Sequence, residues 1–98
     1  MMQHLIDEIR KFRDERNWGP HHNPKDLALS ISLEAAELLE NFQWKQSQEA
    51  VDENLENIKD ELADVIIYSL QLADRLDVDV NEIVRNKMEK NAVKYPVK

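Results

Sequence analysis

From Glu49 to Leu76 the chain runs without a Gly or Pro, and its second half is crowded with apolar residues: Leu62, Ala63, Val65, Ile66, Ile67, Leu70, Leu72, Ala73 and Leu76. At 1.5 Å per residue a helix of this length is about 40 Å long. Its apolar positions cover well over half the circumference, so it needs more than one partner surface. One unit of 98 residues is too small to cover all of it. This stretch therefore predicts an all-α fold of a few long helices in one domain, residues 1–98, completed by homo-oligomerisation. A single Gly and three Pro in the whole chain leave few tight turns, which argues against a sandwich or barrel.

The flanking segments read as helices of the same bundle. Residues 2–16 carry Leu5, Ile6, Ile9 and Phe12 at helical spacing. Asn17-Trp18-Gly19-Pro20-His21-His22 breaks that pattern, and Asn23-Pro24-Lys25-Asp26 opens a second helix with Asn as cap and Pro at the first helical position. That second helix is expected to reach about Trp44, with Leu27, Ala28, Ile31, Ala35, Leu38 and Phe42 inward. Residues 45–50 read as a loop, with Ser47 as the cap of the long helix. Asp79-Val80-Asn81-Glu82 is a capping box for a fourth helix through about Val93, ended by Tyr95-Pro96.

Charge and composition narrow the function. A net charge of −7 argues against a nucleic-acid polymer as partner, because phosphate backbones attract basic surfaces. A nucleotide arriving with a divalent cation is still compatible. There is no cysteine, hence no disulfide and no thiolate metal site. The N-terminus lacks a signal-peptide pattern and no uncharged apolar stretch is long enough to span a membrane, so the expectation is a cytoplasmic protein without a membrane partner.

Two acidic pairs stand out. On the second helix Ser30, Glu34, Glu37, Asn41 and Trp44 share a face; on the third, Asn57, Glu61, Asp64, Tyr68 and Gln71 do the same. Pairs at this spacing arise by chance in so acidic a chain, and Glu49/Asp52, Glu53/Glu56, Asp74/Asp77 and Asp79/Glu82 read as solvated faces or caps. Asp64 is different. It lies within Leu62-Ala63-Asp64-Val65-Ile66-Ile67, where an unpaired carboxylate is costly. If the two stripes face each other, four carboxylates converge and call for a divalent cation, or else for a structural ion-pair network. Carboxylate oxygens without thiolate or imidazole suit Mg²⁺, with Mn²⁺ as substitute. A di-iron bundle would need Glu-x-x-His on two helices, and His4, His21 and His22 lie outside both acidic helices.

The last helix is basic: Arg85, Lys87, Lys90, Lys94 and Lys98 face Glu89 alone, and Lys87, Lys90, Asn91 and Lys94 share a face. Such lysines either complement the helix dipole or grip phosphate oxygens. Trp18 and Trp44 are either packing aromatics or platforms for a nucleobase, and His21 and His22 read as surface or capping groups.

Taken together these residues resemble a known family. Glu34-x-x-Glu37 followed by Glu61-x-x-Asp64 is similar to the ExxE…ExxD signature of the MazG-like, all-α nucleoside triphosphate pyrophosphohydrolases, and most of all to the single-domain branch that includes the dCTP pyrophosphatases. The similarity extends through Phe42-Gln43-Trp44-Lys45, Val65-x-Ile67-Tyr68 and Lys87-Met88-x-x-Asn91-x-x-Lys94-Tyr95-Pro96, and through Trp18 and the His22-x-Pro24 turn. It implies a four-helix MazG-like bundle assembled as a homodimer or homotetramer. Mg²⁺ would be held by Glu34, Glu37, Glu61 and Asp64, and one of them, or Glu40 at the next turn, would orient the attacking water. The implied reaction cleaves a nucleoside triphosphate between its α and β phosphates, giving a monophosphate and pyrophosphate and clearing unwanted nucleotides. Lys87, Asn91, Lys94 and Tyr95 would hold the phosphates, and Trp18, Trp44 and Tyr68 the base and sugar. Ile9 departs from the pattern, since some dCTP-preferring members carry a histidine there. The alternative class is a non-catalytic helical interaction module whose acids are purely structural.

Overall fold

Asn23 shows how local chemistry sets the helix boundaries. Its side chain accepts the Asp26 backbone N–H at 2.8 Å and donates to the Asp26 carboxylate at 2.9 Å, while Pro24 occupies the first helical position. From there the computed structural model, which describes residues 2–97 with His21 by its backbone alone, places α2 over Pro24–Glu40. It is preceded by α1, Met2–Glu15, and a 3₁₀ turn at Gly19–His21. It is followed by α3, Ser47–Arg75, and α4, Val80–Lys94. Among the described residues there is no strand, and the all-α expectation holds.

Two boundaries and the continuity of one helix differ from expectation. The second helix stops at Glu40 rather than Trp44 because Asn41 turns back on it: its amide donates to the Leu38 carbonyl at 3.3 Å, and its backbone N–H bonds to Leu38 as well. An amide competing for the last carbonyls of a helix ends it. Trp44 then sits at φ 66°, off the helix. Ser47 is the first residue of α3 rather than its cap; Gln46 holds the cap position without a side-chain bond. The long helix is also interrupted at Asn54 (φ −118°, ψ 19°), whose side chain donates to the Asn41 carbonyl at 3.0 Å. By contrast, Asp79 caps α4 as read, accepting the Glu82 N–H at 3.0 Å.

The helices pack unequally. α2 lies along α3, and α1 covers the C-terminal part of α3 more lightly. The core is small: Leu27, Ala50, Leu70 and Ala73 are buried, with Leu27 only 1% exposed. Large apolar side chains stay uncovered on α2 (Leu33, Leu39), on α3 (Leu62, Ile66) and on α4 (Ile83, Val84, Met88, Val93). α4 buries no residue. No described helix is long and apolar enough to cross a membrane.

Asp74, read from sequence as part of a solvated pair, instead ties α1 to α3. It accepts from Arg10 Nε at 3.2 Å and from Arg10 Nη2, with Arg13 Nη1 at 3.7 Å. Arg13 is 7% exposed, so its charge depends on this carboxylate and on Asp14. The Arg10 hydrogen bond holds the Asp74 carboxyl below the usual aspartate range. A lowered folded-state value gives stability that is present above the ordinary range and lost as pH falls through the folded value. Asp74→Asn is expected to cost about 2 kcal/mol in urea unfolding and to flatten the acid limb of the stability curve. An unchanged midpoint would remove Asp74 from the α1–α3 contact.

Candidate functional site

The Asn41–Asn57 contact sets the register of α2 against α3. Asn57 Nδ2 donates to Asn41 Oδ1 at 2.9 Å, so the two polar stripes meet at this point. The helices run antiparallel, and each turn back along α2 from Asn41 has a counterpart one turn forward along α3 from Asn57. That register places Glu37 against Glu61 and Glu34 against Asp64. Carboxylate oxygens of Glu34, Glu61 and Asp64 accordingly lie within 4.8 Å of one another. The Glu37 carboxyl is near enough to raise the pKa values of both Glu34 and Glu61.

So many acids in one place are electrostatically unsatisfied. Glu34 Oε2 and Glu61 Oε2 are buried and lack a hydrogen-bond partner. Desolvation, then the neighbouring Glu37 and Glu61 carboxyls, push Glu34 up to about 7. Glu61 is raised by desolvation first and then by Glu37, with Glu34 acting in the opposite direction. The Tyr68 phenol is raised by burial and then by the charges of Glu34, Asp64 and Glu37. Orphaned, desolvated carboxylate oxygens with no basic side chain among them are what a hard divalent cation binds, and the donor set therefore fits Mg²⁺ or Mn²⁺.

The titration has a measurable consequence. A carboxyl raised in the folded state binds its proton more tightly folded than unfolded, so stability is greatest below the ordinary glutamate range and declines as pH rises towards about 7. The Tm of chelator-treated protein should therefore fall between about pH 5 and about pH 8, and millimolar Mg²⁺ should restore it at the upper end. Glu34→Gln should flatten the slope. A metal-free Tm constant across that interval would mean the acids are not crowded in solution.

Beside the acids lies a cavity of about 390 Å³, lined by Leu5, Glu8, Ile9 and Phe12 of α1, by Trp18, and by Asp64, Ile67 and Tyr68. Its aromatic rings are linked to one another, with His22, itself not a lining residue, joining Trp18 to Tyr68: Phe12 to Trp18 at 5.9 Å between centroids, Trp18 to His22 at 6.3 Å, and His22 to Tyr68 at 6.3 Å. Asp64 belongs both to this cavity and to the acid cluster. The combined site suits a ligand with a flat apolar end and an end that binds a cation.

Of the residues singled out from sequence, the structure brings together Glu34, Glu37, Glu61, Asp64, Trp18 and Tyr68. It does not bring Trp44, which is 93% exposed, or Glu40, which borders a surface hollow with Ala36, Leu39, Phe42 and Gln43. Lys87, Asn91, Lys94 and Tyr95 are exposed on and just after α4 and do not line the cavity. His22, read as a surface or capping group, is half-buried between Trp18 and Tyr68 with an unpartnered Nδ1. The side chain of His21 lies outside the described residues. Phe12 and Ile67 were visible in sequence only as core positions, since helical spacing does not separate a core face from a cavity wall.

The MazG-like family model matches residues 29–98 of this chain. Among curated proteins, dCTP pyrophosphatase 1 of Mus musculus is 37% identical over 101 residues, covering 94% of this chain and 59% of that protein. The Homo sapiens protein of the same name is 36% identical, covering 93% and 59%. The chain thus spans about three-fifths of the length of the curated relatives it matches. The crystal structure of a pyrophosphatase from Archaeoglobus fulgidus DSM 4304 superposes with a TM-score of 0.93 at 47% identity, covering 98% of this chain and 93% of that one.

Proposed function

The chain belongs to the MazG-like family, and from that premise we propose that it is a nucleoside triphosphate pyrophosphohydrolase dependent on Mg²⁺. The observation that carries this reading is Asp64, placed in both the acid cluster and the aromatic cavity. A (deoxy)nucleoside triphosphate has the matching form, a flat base at one end and a metal-binding triphosphate at the other. The names of the relatives, dCTP pyrophosphatase 1 and pyrophosphatase, support cleavage between the α and β phosphates.

In this reading Glu34, Glu37, Glu61 and Asp64 hold Mg²⁺, or Mn²⁺ in its place. Once bound, the ion polarises the phosphoryl group, neutralises developing charge and lowers the pKa of water. Phe12, Trp18 and Tyr68 enclose the base and exclude water from one side of it. Orientation of the attacking water falls to a carboxylate within the cluster, a place that favours Glu34 or Glu37 over the outlying Glu40. With Ile9 on the cavity wall, the base is held at that point by apolar contact, and dCTP is one candidate among several.

The uncovered faces of α2, α3 and α4 support assembly into a homodimer or homotetramer, in which Lys87, Asn91, Lys94 and Tyr95 reach the phosphates of a neighbouring copy. Light scattering at micromolar concentration should give a multiple of 11.6 kDa, and a monomer would remove these residues from the site. In this reading the protein acts in the cytoplasm. The function is tested by a panel of nucleotides with Mg²⁺, chelator, and chelator followed by Mn²⁺. Turnover should require the metal, and no turnover of any nucleotide would overturn the class.

A further inference from the structure

We infer that Arg75 is a positioning residue for the nucleobase wall: from the end of α3 it holds the loop that carries Trp18 and His22 against the cavity. The inference rests on the nucleotide reading of that cavity.

The loop between α1 and α2 has little to fix it from within. Its backbone hydrogen bonds are local: Asn17 to Asp14 and Trp18 to Arg13, each at 3.1 Å, and His22 to Gly19 at 3.1 Å. Asn17 adopts the left-handed region at φ 55°, a further cost that the surroundings must offset. Across 53 positions of sequence, Arg75 Nε donates to the His22 carbonyl at 3.0 Å, and Nη2 donates to the Gly19 carbonyl. One planar guanidinium thus spans both ends of the 3₁₀ turn, immediately beside the two rings of the wall. The guanidinium lies close over this turn: a Cβ at Gly19 would stand in ordinary van der Waals contact, 3.5 Å from Arg75 Nη2.

A basic residue in the last turn of a helix also complements the helix dipole. A lysine would do that equally well, but it has a single ammonium and no fork to reach two carbonyls at a fixed spacing. The acids, meanwhile, are held by the Asn41–Asn57 contact and not by this loop. Loosening the loop should therefore weaken binding of the base and spare the chemical step.

The test uses the full chain. In steady-state assays with Mg²⁺ and the best nucleotide, Arg75→Gln is expected to raise KM about tenfold with kcat within about threefold of the parent. Arg75→Lys is expected to behave like Arg75→Gln. Full rescue by lysine would show that the helix-end charge is what matters and would overturn the inference, as would an unchanged KM. A second readout does not need turnover. In a Trp44→Phe background Trp18 is the only tryptophan, and Arg75→Gln or Arg75→Lys should increase acrylamide quenching of its fluorescence; unchanged quenching overturns the strut. Should Arg75→Gln fail to fold, Arg75→Lys decides both readouts. A parent protein that turns over no nucleotide would defeat the nucleotide reading, whereas a normal parent with indifferent Arg75 variants defeats only this inference.

Discussion

Asp64→Asn is expected to lower nucleotide hydrolysis at least about a hundredfold while leaving the metal-free protein as stable as the parent or more so. The two effects have opposite signs for one reason. Asparagine keeps the shape of the side chain and deletes a charge from a cluster in which Glu34 is already raised to about 7 by burial first and by its neighbours after that. With that charge gone, its repulsion on Glu34, Glu37 and Glu61 is relieved, but the set loses one of the anionic carboxylates that attract a divalent cation. Steady-state assays and thermal melts in chelator on the same preparation check both halves. Full activity would remove Asp64 from the metal site. A large loss of metal-free stability would mean that it serves the fold, as the interaction-module alternative holds.

Leu27→Ala carries the largest expected effect on stability. Leu27 is 1% exposed and is the largest fully buried side chain among the described residues. Its replacement leaves a cavity that flanking helices fill only in part, at a cost of about 3 kcal/mol. For a domain of this size that corresponds to a Tm lower by roughly 12–24 °C, out of a total stability of about 5–15 kcal/mol. Leu27 sits about two turns ahead of Glu34 on the face of α2 that meets α3. Its loss should loosen the packing that keeps the acid pairs opposed, so metal affinity should fall together with Tm. A drop of only a few degrees would place the stabilising core elsewhere, in the assembly of copies.

The helices and the acid stripes were legible because both depend on short-range spacing. Asn23 and Asp79 cap their helices with side-chain bonds to residues three positions on, and a linear reading finds them. Glu34/Glu37 and Glu61/Asp64 follow one helical turn each, and Asp64 betrays itself by its apolar neighbours. What escaped depends on contacts between distant positions. Asn41 ends α2 four residues early because its amide turns back on the Leu38 carbonyl while Asn54 and Asn57 of α3 bind it, and that removes Trp44 from the stripe. Asp74 looked like one more solvated acid until Arg10 and Arg13, some sixty positions away, were placed around it. His22 acquires its place in the aromatic wall through Arg75 and Tyr68. The basic face of α4 was easy to see, but α4 buries no residue within the chain, so no packing contact there assigns those side chains a role.

Phosphorus NMR of the reaction mixture tests the central claim most directly, because it identifies every product of the triphosphate in one spectrum. Protein, Mg²⁺ and a nucleoside triphosphate should give nucleoside monophosphate and pyrophosphate in equal amounts, with neither formed in chelator. Orthophosphate with a diphosphate, or an unchanged triphosphate across the panel of bases, would contradict the account.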